Sequence, residues 1–245
     1  MSLRPPLLSM HAALAIGLVA GLPPADAETP PMSLPSTAAP SPFPSTLQPL
    51  AQAVAAGDTL DIAVLGSHPL AQSRGQDNVT LLEWAIWNRR ADSLAALLLA
   101  GLDPAAPGMD GESVAHLAAS VDDPRYLQVL IEHGAPVDLI GGQAARTPLF
   151  RAVQSRRDAQ FELLLAAGAD INRTDAMGNT LLHVAAEVGD AGRVLQLLQA
   201  GARHDRANVR GVRFQSVLFA TDSTRLSAKG RAEREAVAQW LVANQ

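Results

Sequence analysis

The chain has 245 residues, 48% of them apolar, which argues against global disorder and allows one large or two small domains. It contains no cysteine, so disulfides, thiolate zinc sites and a cysteine nucleophile are excluded. Its 19 basic and 24 acidic side chains leave a net charge of −5, which disfavours general binding to phosphate backbones.

Residues 1–27 read as a secretory signal. Arg4 supplies the positive start, an apolar run extends from Leu7 to Leu22, and Ala25 and Ala27 place small residues before a cleavage expected ahead of Glu28. His11, Gly17 and Gly21 interrupt the run, which is also short for a hydrocarbon core of about 30 Å. The chain is therefore expected to be periplasmic or secreted, with no membrane insertion after signal cleavage. Residues 28–46 hold Pro30, Pro31, Pro35, Pro40, Pro42 and Pro44 among Ser and Thr, and read as a stiff, solvated spacer.

A repeat of about 33 residues organises the next stretch. The helix-opening residues Thr80, Ser113, Thr147 and Thr180 are spaced 33, 34 and 33 apart. Gly101, Gly134, Gly168 and Gly201, each placed to end a second helix, keep the same spacings. Thr147-Pro148-Leu149-Phe150-Arg151-Ala152 and Thr180-Leu181-Leu182-His183-Val184-Ala185 open first helices, with weaker copies at Thr80 and Ser113. Leucine-rich words such as Leu97-Leu98-Leu99-Ala100-Gly101 close the second helices. The hydroxyls are expected to cap the helices, the glycines to adopt positive φ, and Ala85, Ala118, Ala152 and Ala185 to let paired helices approach closely.

These words resemble the ankyrin repeat family over about residues 75–207. The resemblance implies an all-α solenoid of stacked helix pairs joined by short β-turns. Residues 47–70 look like a degenerate first repeat serving as a cap, which makes 47–207 the repeat domain. No single unit buries its own apolar face, so stability must come from stacking.

Residues 208–245 depart from the pattern. Val212–Phe219 is apolar enough for a short strand or buried extended segment, and Ser227 with Ala232, Ala236, Val237, Trp240 and Leu241 marks a capping helix. Val217–Leu226 also resembles the opening strand of a peptidoglycan-binding domain of the outer-membrane-protein-A type, although too few residues follow for a complete domain. Residues 203–234 carry a local charge of +5, leaving −10 elsewhere; this layout can orient a charged partner or simply be a solvated surface.

Motifs for chemistry are weak. His116 and His183 occupy the same place two repeats apart, too far for one metal; the family resemblance implies that each hydrogen-bonds near its turn. Asp170, Asn172 and Asp175 lack the glycine and terminal glutamate of a calcium loop. No nucleophile elbow, phosphate-binding loop or aligned triad occurs, so neither an enzyme nor a cofactor is expected.

The resemblance implies a partner-binding concave face built from turn tips and first helices. Its positions include Asp77, Met109, Glu112, Arg146, Met177 and Asn179 on the turns, and Trp87, Asn88, Val121, Gln154 and Glu187 on the helices. Trp87 is the first candidate anchor, with packing against the degenerate first repeat as its alternative role. The expected function is an exported protein-binding module, monomeric alone. It would serve as an immunity protein against a toxic effector or as an accessory to a periplasmic enzyme. The alternative is an envelope anchor touching peptidoglycan through the tail.

Overall fold

A computed structural model describes residues 41–244; the expected signal segment and most of the spacer lie outside the described residues. Twelve α-helices form among the described residues, with isolated β-bridges and no sheet. They come in pairs: α1 (Gln48–Ala56) with α2 (Thr59–Leu65), α3 (Leu81–Trp87) with α4 (Ala91–Leu99), and α5 (Val114–Ser120) with α6 (Arg125–Glu132). Then follow α7 (Pro148–Gln154) with α8 (Asp158–Ala166), α9 (Leu181–Glu187) with α10 (Ala191–Gln199), and finally α11 (Phe214–Leu218) and α12 (Ala228–Ala243). The first helices stack in one layer, α1 to α3, α5, α7, α9 and α11, while α2, α4, α6 and α8 stack behind them and α12 packs on α10.

Local chemistry sets each helix boundary. Thr80 caps α3 in a reciprocal box: its hydroxyl accepts from the Glu83 N–H at 3.0 Å, and Glu83 accepts from the Thr80 N–H at 2.7 Å. Ser113 and Thr180 form the same box with His116 and His183. Thr147 opens α7 without it, because Phe150 stands in the histidine's place; the buried Thr147 hydroxyl meets no partner. Gly101, Gly134, Gly168 and Gly201 all take positive φ, between 75° and 91°. Each lets the next residue donate back to the helix, as Leu102 does to the Leu97 carbonyl at 3.1 Å.

Between the layers, Leu94, Leu97, Leu127, Leu130, Leu149, Phe161 and Leu164 are buried. Ala85, Ala118, Ala152 and Ala185 are fully buried beside them, as close helix pairing requires. Between α8 and α10 the seam is polar as well. The buried Arg193 lays its guanidinium 3.9 Å from the Phe161 ring centroid and pairs with Asp158.

Two segments differ from the sequence reading. The chain is already packed at Phe43, within the expected spacer: it is 4% exposed and meets Trp84 edge-to-face at 6.0 Å. An aromatic ring at that point can cover the end of the stack, which a proline spacer cannot. The expected strand at Val212–Phe219 is instead helix α11, preceded by an Ala207–Arg213 bridge and Gly211 at φ +73°. The same devices precede α9, at Thr174–Thr180 and Gly178. Arg213 lies 33 residues after Thr180, so the repeat order runs on: α11 covers α9 and α12 covers α10. The strand resembling a peptidoglycan-binding domain is therefore absent from this stretch, where Val217 and Leu218 are helical.

Candidate partner-binding face

The turns between repeats project hairpin tips that hydrogen-bond to one another. Gly142 donates to the Gly111 carbonyl at 3.1 Å, Ala176 to Ala144 at 2.8 Å, and Val209 to Met177 at 3.0 Å. The tips therefore form a continuous rim from the second to the fifth turn.

Buried latches beneath the rim join three of these turns to the helix before them. His116 Nδ1 accepts from the Ser113 N–H, so its other nitrogen carries the proton and donates to the Arg146 carbonyl at 2.9 Å. His183 repeats the arrangement with Thr180 and the Val212 carbonyl. Burial pushes the His116 ring below its ordinary pKa and keeps it neutral. Glu83 takes this place in the first full repeat and accepts from the Met109 N–H at 3.1 Å. Burial raises its pKa, opposed by its hydrogen bonds from Thr80. A Cβ on Gly108 would come within 2.3 Å of this carboxylate, which explains the glycine there.

Above the latches runs a polar chain spanning four turns. Glu112 pairs with Arg151, whose Nε lies 3.0 Å from its carboxylate. Arg151 and Arg146 both donate to Gln154. Arg146 reaches Asp175 at 3.0 Å, and Asp175 accepts from the Asn179 amide at 3.2 Å. Asn179 in turn accepts from Asn208 at 2.8 Å. Asp175 and Asn208 also close their own turns by accepting two backbone N–H groups each.

The structure thus brings Glu112, Arg146, Gln154 and Asn179 into one network. Asp77, Met177 and Glu187 are exposed around it, and Met109 is half-buried against the core. Asn179 is itself buried within the network, and three further expected positions are not free surface. Trp87 is only 8% exposed and packs edge-to-face on Trp84 at 6.2 Å, so it closes the first repeat and is no open anchor. Asn88 is buried and donates to the Trp84 carbonyl at the end of α3. Val121 is buried, and its carbonyl accepts from Gln160. Sequence reasoning missed Arg151, Asp175 and Asn208 as members of the face. The available signal was that Asp175 and Asn208 each stand five residues before a helix-opening position. Among the described residues no three His, Asp or Glu side chains converge as metal ligands would, and no helix is long and apolar enough to cross a membrane.

Comparison with known proteins agrees with this geometry. A family model described as ankyrin repeats in three copies matches residues 82–175, and one described as an ankyrin repeat matches 177–209. The chain is 45% identical to Protein PhlB of Serratia liquefaciens over 139 residues, which is 57% of this chain and 61% of that protein. It is 32% identical over 130 residues to neurogenic locus notch homolog protein 1 of Xenopus tropicalis, covering 53% of this chain and 5% of the relative. It is 29% identical over 146 residues to the B-cell lymphoma 3 protein homolog of Mus musculus, covering 58% of this chain and 32% of the relative. The chain therefore spans less than two thirds of each of these relatives.

Proposed function

The chain belongs to the ankyrin-repeat family, a protein–protein interaction scaffold, and we propose that it is an exported, periplasmic module that holds one protein partner against its concave face. Its job would be to occlude a toxic effector as an immunity protein or to assist a periplasmic enzyme as an accessory. The observation that carries this reading is the polar network from Glu112 to Asn208, whose charged members Glu112, Arg151, Arg146 and Asp175 are partly or fully buried. Holding such charges partly out of water is rarely the most stable way to build a surface. Fixed in place they present a rigid donor and acceptor pattern that a partner can match without ordering it first. Exposed Met177 adds adaptable apolar contact beside that pattern.

The test is capture from periplasmic extract with the tagged protein. One stoichiometric partner is expected, lost with Met177→Arg combined with Glu187→Lys while thermal unfolding is unchanged. Undiminished capture by that double variant overturns the concave-face reading. Sequencing the protein recovered from the periplasm tests export, with Glu28 as the expected first residue.

A further inference from the structure

Most arginines in the body of the stack have intramolecular work, exposed Arg89 being the exception. Arg125, Arg146, Arg151, Arg157, Arg173 and Arg193 meet carboxylates. Arg74 and Arg90 donate to carbonyls of other segments. The end of the stack is different. Arg203, Arg206, Arg210, Arg213 and Arg225 are all exposed, and none meets a carboxylate among the described residues. Residues 203–244 carry eight basic and four acidic side chains, whereas residues 41–202 carry ten and eighteen.

Arg213 is the most informative of the five. It stands at the opening position of α11, where α3, α5, α7 and α9 have Thr or Ser, and makes no capping bond. A hydroxyl there stabilises a helix by about 1 kcal/mol, so this arginine sits against the local rule without a structural return. It lines a cleft of about 350 Å³ together with His204, Asp205, Gln215 and Leu241. Gln215 donates from Nε2 to the His204 carbonyl at 3.1 Å, while its buried Oε1 meets no donor. The cleft thus offers a free cation and an apolar wall. Val209, 67% exposed, and Phe219, 41% exposed, add apolar surface elsewhere on the same end unit.

We propose that this end of the stack is a second docking surface, for an acidic polypeptide segment of a protein partner. Arg213 takes a carboxylate of the segment and Leu241 meets an apolar side chain. A polypeptide supplies both features from neighbouring side chains while touching only this end, whereas an anionic vesicle or a nucleic acid lying along the molecule would meet the acidic body of the stack. The surface adjoins the last tip of the rim, where Val209 donates to the Met177 carbonyl, but the residues lining its cleft take no part in the polar network of the concave face.

The experiment is fluorescence anisotropy of the full chain with a labelled peptide of alternating Glu and Leu. Vesicles containing phosphatidylglycerol and a single-stranded oligonucleotide serve as the other probes. Saturable peptide binding that weakens with salt is expected. Arg210→Gln with Arg213→Gln should weaken it about tenfold. Arg173→Gln, an exposed change in the body of the stack, should leave it unchanged. Equal peptide binding by the Arg210, Arg213 variant, or tighter binding of vesicles or oligonucleotide than of peptide, overturns the proposal. Circular dichroism of each variant confirms that the stack is intact.

Discussion

The body of the stack and its final unit use the same residue type in opposite ways. Arg146 and Arg193 are held by carboxylates on neighbouring repeats and help to bind those repeats together. Arg210 and Arg213, on the last turn and the opening of α11, point their charge at solvent. An interior repeat has neighbours on two sides, so a long side chain there can finish its hydrogen bonds within the molecule. A terminal repeat has one neighbour, and its charges are left for water or a partner. Composition alone therefore does not separate an arginine that pairs within the molecule from one left exposed; carboxylate-paired arginines lie in the body of the stack, and five unpaired ones gather at its end.

Four variants test that contrast. The largest effect is expected from Arg193→Ala, which empties the seam against Phe161 and should cost about 3 kcal/mol by urea denaturation. A loss below about 0.5 kcal/mol would mean that α8 and α10 do not need the arginine. Next is His116→Ala, which strands the Ser113 N–H and the Arg146 carbonyl and should cost about 2 kcal/mol at neutral pH. The folded ring titrates below its ordinary 6.5, so the unfolded chain binds the proton first as pH falls. The contribution is therefore complete above 6.5 and shrinks in acid, and the gap between wild type and variant should narrow there. A gap that widened in acid would refute the neutral latch. Ala145→Gly relieves a left-handed alanine at φ +51° and should stabilise by about 0.5 kcal/mol after its entropic cost. Smallest is Arg210→Ala with Arg213→Ala, expected to change stability by less than about 0.5 kcal/mol. A larger loss would place these two arginines with the structural set and erase the contrast.

Much of the architecture was readable because its signals are local. Thr80, Ser113, Thr147 and Thr180 do open helices, and the four glycines after the second helices do take positive φ. The final unit was hidden because Arg213, Phe214, Gln215 and Ser216 replace every residue of the opening word, leaving only Asn208 and Gly211 at the repeat's spacing. The candidate face was legible in part. Spacing placed Glu112, Arg146, Gln154 and Asn179 on one side, but it also placed Trp87 there. Nothing in the spacing revealed that Phe43 and Trp84 build an aromatic cluster around it.

By itself the sequence determined the repeat length, the helix limits and the left-handed stops, because each depends on groups within a few residues of one another. Only the tertiary structure decided which charges are consumed and which are offered. Arg146 finds Asp175 across 29 residues and Arg151 finds Glu112 across 39, one turn of the stack away in either direction. Such partners become neighbours only when successive repeats pack, and no repeat packs after α11 and α12 among the described residues.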